Sequence, residues 1–456
     1  MIVALLVAAS LQALPQALPQ GQPQARQAAR VTLSQAVQAA LASHPSVAAA
    51  RAARDRATAD LGDARSAQRP RVSLDASFSQ YEKPMVVLPL HGFDLRNPPL
   101  FDRSLLQSGA SVGWTLYDFG QRAARVRTQD ALGSAADASL TTAERQIIAR
   151  TVNAYVRVLT TRETLAAHDQ RIAALDAERT RVQQLLREGK AARVEQLRAD
   201  AATTNAQADR IATASQLDVA VQELAQLTNL PAAAIAGGSL AALRLGDSTL
   251  ATDTSAGLRA SLIERAKKAN SDLAELENRA RAATFAVEAA RAIRYPELRA
   301  SGAYVDRGRT RGDFAAEWQL GLGLSYPLYT GGASEAAVAR ASADARGATA
   351  QLRVAELNVE SAIDRALASL REARARRVAL QSAVDQSAEV ARIERLSRDV
   401  GSGTQTDYLD AEATLLRARS SLIDAQHAEI LARVDVARLI GELSPDWLAR
   451  TVESAQ

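Results

Sequence analysis

The chain repeats its own plan at a constant spacing. Gly189 in REGKAARVEQLRADA lies 212 residues before Gly401 in RDVGSGTQTDYLDAEA, and the same spacing pairs Leu197 with Leu409 and Ala199 with Ala411. It also pairs LYDFG (116–120) with LYTGG (328–332), and LTNL from Leu227 with LIGE from Leu439. QRPRVSL and RYPELRA match at Pro70 and Pro296, a spacing of 226, so the first half carries 14 extra residues between 70 and 116. A duplicated sequence folds as two versions of one unit. Each half reads as a helix, two strands joined by a loop, a very long helix, a tight turn and a returning helix.

The repeats span 31–230 and 258–443, joined by a Gly/Ser/Thr-rich connector at 231–257 that carries a short helix or strand. Long helices are expected at about 121–187 and 333–399, with returns at about 192–228 and 404–441. In the first, Ile148, Val152, Tyr155 and Leu159, then Ile172, Leu175, Val182 and Leu186, form an apolar seam at a/d spacing. The second shows Leu352, Val359, Ile363, Leu367 and Leu370, then Leu380, Val384, Ile393 and Leu396. At 1.5 Å per residue such helices reach roughly 100 Å. The content of Phe, Trp and Tyr, 4%, is low for compact globular cores and suits long helices.

Residues 2–13, IVALLVAASLQA, read as an export signal (1–13) cut after about Ala9 or Ala13. The Pro/Gln-rich stretch 14–30 is expected to be unstructured, as is the C-terminal tail (444–456) after Leu448. No other stretch approaches the ~18 consecutive apolar residues of a membrane helix.

Composition excludes several functions. A net charge of +4, with acids and bases interspersed, gives nucleic-acid binding no footing. The absence of cysteine rules out disulfides, thiolate metal sites and thiol nucleophiles. His44, His91, His168 and His427 are scattered without ligand spacing, so no metal is expected. The GLG at 321–323 lies inside a strand, not before a helix, and is no phosphate loop. No catalytic constellation and no cofactor motif is present; an enzyme is not expected.

Four segments alternate: 72–81, 106–117, 297–305 and 314–329. In the last, Phe314, Ala316, Trp318, Leu320, Leu322 and Leu324 oppose Ala315, Glu317, Gln319, Gly321, Gly323 and Ser325. In the second, Leu106, Ala110, Val112, Trp114 and Leu116 oppose Gln107, Gly109, Ser111, Gly113, Thr115 and Tyr117. Such strands match the wall of a transmembrane β-barrel. A soluble hairpin packed on helices would alternate in the same way. Aromatic placement favours the membrane: 13 of the 17 Phe, Trp and Tyr residues fall in 72–119 or 295–329, with Trp114, Tyr117, Trp318, Tyr326 and Tyr329 near strand ends. Four strands cannot close, since backbone in lipid must be fully paired and the smallest barrels need about eight strands. Other copies of the chain have to complete the wall.

The duplicated layout, with LYDFG/LYTGG and GSGTQTDYLDAEATLLRA, resembles the TolC-like outer membrane efflux protein family over about 31–443. The resemblance implies a mainly α, internally duplicated fold with a four-stranded β contribution: a long coiled-coil α-barrel in the periplasm plus a transmembrane β-barrel completed by trimerisation. It implies a homotrimeric, passive outer membrane duct of a tripartite efflux or type I secretion system, partnered by a periplasmic adaptor and an inner-membrane pump of RND or ABC type. Val112, Trp114, Trp318, Leu320, Leu322 and Leu324 would then meet outer membrane lipid.

By the same resemblance Asp407 and Asp410 match the acidic rings of the aperture. Three residues apart, they share a helix face, and such rings concentrate cations. Asp407 also reads as a first-turn or cap acid after Thr404. Gly189, Lys190, Arg193, Gly401, Gly403, Thr404 and Gln405 correspond to the adaptor-contacting tips, whose glycines supply positive φ for the reversals. Gly403 stands where a basic partner would help hold the tip shut. The loop 82–104 is the longer external loop and a candidate constriction, and the RGD at 311–313 reads as a chance tripeptide in the outer loop. The competing reading is a soluble coiled-coil scaffold or adhesin stalk without a pore.

Overall fold

The computed structural model describes residues 31–86, 96, 101–238, 240–243, 256–310, 312 and 314–452. The expected export signal and linker, most of the loop 82–104, and Arg311 and Asp313 of the tripeptide lie outside these residues.

Helix α1 (Leu33–Ser43) starts at a capping box between Thr32 and Gln35. Helix α2 (Pro45–Ser66) follows at once, because Pro45 suits the first helical position and His44 Nδ1 accepts from the Ser46 amide at 3.1 Å. Strands β1 (Arg71–Val86) and β2 (Phe101–Tyr117) lead to α3 (Gln121–Arg187), which reverses into α4 (Arg193–Thr228). After α5 (Ala232–Gly237), the second half runs α6 (Ala256–Ala269), α7 (Ser271–Ala292), β3 (Glu297–Gly308), β4 (Phe314–Ser325), α8 (Ala333–Asp399) and α9 (Gln405–Leu439). Strand β4 ends four residues earlier than its alternation suggests, since Pro327 has no amide for the ladder.

Four rods result. Helices α3 and α8, of 67 residues each, are continuous. The other two are stacks. Ser43 at the end of α1 reaches the Thr228 carbonyl of α4 at 3.4 Å, so α2 stands on α4. Asn270 caps α7 through its Oδ1, which accepts from the Asp272 and Leu273 amides, while its Nδ2 donates to the Leu439 carbonyl at 2.9 Å, so α7 stands on α9. Helix α3 packs between the α2/α4 and α7/α9 stacks, and α8 packs on the far side of α7/α9.

The main core belts the middle of α3, where Val152, Tyr155 and Val158 meet apolar residues of α1, α4, α5 and α9. Buried Tyr155 directs its hydroxyl to the Val31 and Ala241 carbonyls, 3.0 Å from each. A second core joins Leu262 and Ala266 of α6 to Ile363, Leu367 and Leu370 of α8 and Ile440.

Two expectations need correction. Order does not stop at Leu448: α10 (Pro445–Thr451), capped by Ser444, whose hydroxyl accepts from the Trp447 amide, continues past it and buries Leu448 and Val452 in the main core. Pro445 at the first position after a serine cap is a helix start that the tail carried in plain view. The α8 seam also shifts. Near the tip Ala391 is the buried residue, against Ala411 and Leu415 of α9, whereas Ile393 and Leu396 are exposed. Alanine permits the closer helix approach, and the larger side chains turn outward.

Tyr155→Phe keeps the ring but removes the donor to the buried Val31 carbonyl and the partly buried Ala241 carbonyl. It should lower stability by about 1 kcal/mol, read as a lower calorimetric unfolding temperature of the detergent-solubilised protein.

Candidate functional site

The four strands form one antiparallel sheet in the order β1-β2-β3-β4. Residues paired across strands share a face, and the register sorts the side chains cleanly. One face carries the rows Leu74–Ala110–Tyr304–Trp318, Val72–Val112–Gly302–Leu320 and Trp114–Ala300–Leu322. The other carries Asp75–Gly109–Val305–Glu317, Ser73–Ser111–Ala303–Gln319 and Thr115–Arg299–Gly323. This second face bonds to itself, with Ser73 and Ser111 hydroxyls 2.7 Å apart, Thr115 donating to Glu297 at 2.9 Å, and Arg307 paired with Glu317 at 3.2 Å. On the apolar face Trp318 is 72% exposed, Leu320 78% and Leu322 74%. Among the described residues no helix packs along the sheet. The soluble-hairpin alternative therefore lacks the cover it requires.

One face assignment is corrected by a bulge. Thr115 pairs with Arg299 but Tyr117 pairs with Leu298, so Leu116 is an extra residue and Tyr117 crosses to the apolar face. There Tyr117, Phe119 and Tyr295 form a chain of ring contacts at 4.8 and 5.1 Å, all exposed, beneath the strands. Phe119 and Gly120 both take positive φ (51° and 86°), turning strand into helix, while the Asp118 carboxylate accepts from the Gly120 and Arg122 amides. That is the physical content of the LYDFG motif.

The opposite ends of α3 and α8 carry the predicted tip residues. Gly189 and Gly401 sit at φ of 71° and 82°, as a helix reversal needs. Gly403 is needed for a different reason: it is not at positive φ, but a Cβ there would lie 2.9 Å from that of Ser397 and 3.1 Å from the Arg398 amide nitrogen. Lys190 is exposed and paired with Glu188 at 2.9 Å, a contact that raises the lysine pKa and lowers that of the glutamate. Arg193 and Thr404 are exposed as well. Gln405 is not: it is 8% exposed, with its side-chain amide unpartnered among the described residues. Asp407 and Asp410 are both exposed on the first turns of α9. Asp407 closes a capping box, its carboxylate accepting from the Thr404 hydroxyl at 2.6 Å while its amide donates to that oxygen at 3.2 Å. Asp410 forms no ion pair among the described residues.

A sheet with one bare apolar face, set on long paired rods, can be compared with known proteins. The family model described as outer membrane efflux protein matches residues 36–230 and 262–442. The chain belongs to the outer membrane efflux protein family. It is 23% identical over 430 residues to the outer membrane protein TolC of Salmonella enteritidis, covering 90% of this chain and 82% of that one. Its fold is similar to the solved structures of VceC from Vibrio cholerae (TM-score 0.75, 19% identity, 90% of this chain and 96% of the other). It is also similar to the CmeC channel of Campylobacter jejuni (TM-score 0.77, 16% identity, 92% and 88%). Membership makes this an outer membrane efflux channel with a periplasmic helical part; the pore-free scaffold or stalk finds no support.

In this efflux protein the tip holds a charge network that the motifs did not announce. Fully buried Glu178 of α3 accepts from Arg398 of α8 at 2.5 Å and from Arg181 at 3.0 and 3.2 Å. Arg398 also bonds Asp399 at 2.6 Å and lies 4.2 Å from the Tyr408 ring centroid. Burial pushes the Tyr408 phenol pKa up, and the bond to Glu178 raises that of Arg181. A signal did exist: Leu175, Glu178 and Val182 are spaced 3 and 4, so an acid occupies a seam position. Removing one member of a buried pair is strongly destabilising. Glu178→Ala should loosen the α3–α8 contact by about 3 kcal/mol, seen as faster amide hydrogen exchange over 393–403 with little change around Tyr155.

Proposed function

We propose that three copies of the chain close their sheets into one barrel in the outer membrane, with the Trp318/Leu322 face against lipid and the Ser73/Gln319 face lining the lumen. The observation that carries this reading is the continuous apolar face, exposed across all four strands and bounded by two open edges, β1 and β4. Unpaired strand edges are not tolerated in hydrocarbon. A twelve-stranded closed wall satisfies them.

The helices support the same assembly. Of the four rods, α4 and α8 lie outermost, and both leave apolar side chains bare: Val194, Leu197, Ile211 and Val219 on one, Val378, Val390, Ile393 and Leu396 on the other. Facing each other between copies, they would complete a periplasmic tunnel of twelve rods. The duct is passive, and energy comes from an inner-membrane pump, of RND or ABC type, through a periplasmic adaptor. Lys190, Arg193 and Thr404, beside Gly189, Gly401 and Gly403, form the rim offered to the adaptor; Gln405 is buried behind it.

Asp407 and Asp410 ring the aperture in this arrangement. Asp410 is free to meet a passing cation, whereas Asp407 shares its charge with the cap of α9. The Arg398–Glu178 bridge ties α8 to α3 just above, and opening means a shift in population toward tips whose helix pairs have parted.

Two measurements test the reading. Leu322→Arg places a charge on the lipid face and should cost about 2–4 kcal/mol near the bilayer midplane, seen as loss of the heat-sensitive trimer from outer membranes. Gln319→Arg, on the lumenal face, should assemble normally, and equal assembly of the two would invert the face assignment. Asp407→Ala with Asp410→Ala should weaken block of single-channel current by divalent cations; undiminished block would remove both residues from the aperture.

A further inference from the structure

Where the sheet meets the helices, on its polar face, a cleft of about 730 Å³ is walled by the starts of β1, β3 and α3. Arg69, Arg71, Arg122, Arg125 and Arg299 line it, against only two carboxylates, Asp118 and Glu297. Three positive charges are in excess. The carboxylates are already engaged: Arg122 binds Asp118 at 2.7 Å, and Arg299 binds Glu297 at 2.7 Å. The side chains of Arg69, Arg71 and Arg125 form no ion pair or hydrogen bond among the described residues, and all three are exposed. The Gly120 and Arg122 amides at the start of α3 are already met by the Asp118 carboxylate, and the guanidinium groups are what the cleft offers a ligand.

Position strengthens the case. Arg71 pairs with Gly113 and Gly113 with Ser301, so the floor of the cleft is built of small residues, and a Cβ at Gly113 would meet nothing within 4 Å. Helix α3 separates the cleft from the acidic tip by 67 residues, about 100 Å. Screening acts over about 8 Å at physiological ionic strength. Asp407 and Asp410 therefore do nothing to neutralise these arginines. Guanidinium groups bind carboxylate and phosphate through paired, charge-assisted hydrogen bonds, and charge lining a narrow, low-dielectric wall concentrates counter-ions.

We propose that this cleft is a lumenal anion-binding station, in which Arg71 and Arg125, with Arg69 beside them, hold carboxylate or phosphate groups of solutes moving through the duct. The inference rests on the channel reading: the polar face must be the lumenal one. Three copies place nine uncommitted arginines around the barrel's inner mouth, so the conduit carries an acidic station at one end of its helices and a basic one at the other.

The test is single-channel recording of the full-length trimer in planar bilayers, with inorganic pyrophosphate added from the side of the outer loops. Wild-type current should show voltage-dependent block at millimolar pyrophosphate. Arg71→Gln with Arg125→Gln should raise the blocking concentration at least about tenfold, with recovery of the double variant as the same heat-sensitive trimer as evidence of normal assembly. Absence of block in the wild type, or equal block in the double variant, overturns the station. Block that disappears when lipopolysaccharide is included in the bilayer would show that lipid phosphate fills the cleft, and would overturn the assignment to lumenal solutes. Failure of the wild type to conduct at all would count against the channel itself and remove the station with it.

Discussion

Backbone amides and carbonyls cannot be left unpaired in hydrocarbon, and this constraint organises the whole molecule. One chain contributes four strands that pair with one another, with interruptions at Gln80–Met85 and Leu116, and whose outer edges, on β1 and β4, stay open. The apolar rows that run across the sheet make lipid the natural solvent for one face, while serine, glycine and paired charges make water the solvent for the other. A sheet of this kind has no stable end state alone. Its edges call for further copies, and in the proposed trimer the rods below would share the barrel's symmetry.

Long rods impose a second problem, because a helix with only two neighbours buries little. The chain answers with close alanine contacts, as between Ala391 and Ala411, and with a belt of larger side chains around Tyr155. It adds buried acids gripped by two arginines each. Glu178 is held by Arg181 and Arg398, and Glu429 by Arg377 and Arg433. Such bridges add less to net stability than their geometry suggests, because burying the charges is itself unfavourable. Their value is in register: a carboxylate held between two guanidinium groups has few alternative positions along a 67-residue helix.

Charge is also distributed along the path. Exposed carboxylates sit at the helical tips, and uncommitted arginines sit where the helices enter the sheet. The two regions lie many screening lengths apart, so each sets its own local potential. A solute crossing the duct would meet them in turn.

Much of this was legible in the sequence because it follows from local periodicity. Alternation at Trp318, Leu320 and Leu322 marked a strand face, the spacing of Ile148, Val152, Tyr155 and Leu159 marked a helical seam, and Gly189 and Gly401 marked the reversals. Ser444 and Pro445 marked a helix start in the same local way. Tertiary structure alone decided the rest. The extra residue at Leu116, which carries Tyr117 to the other face, exists only in the pairing of β2 with β3. The closeness of Gly403 to Ser397, the burial of Gln405 and the outward turn of Ile393 all depend on how two helices meet. The bridge from Arg398 to Glu178 joins residues 220 positions apart, and the arginines of the cleft come from β1 and the turn before it, β3 and α3. Periodicity reports which way a side chain points from its own backbone; it holds no information about which distant backbone is there to receive it.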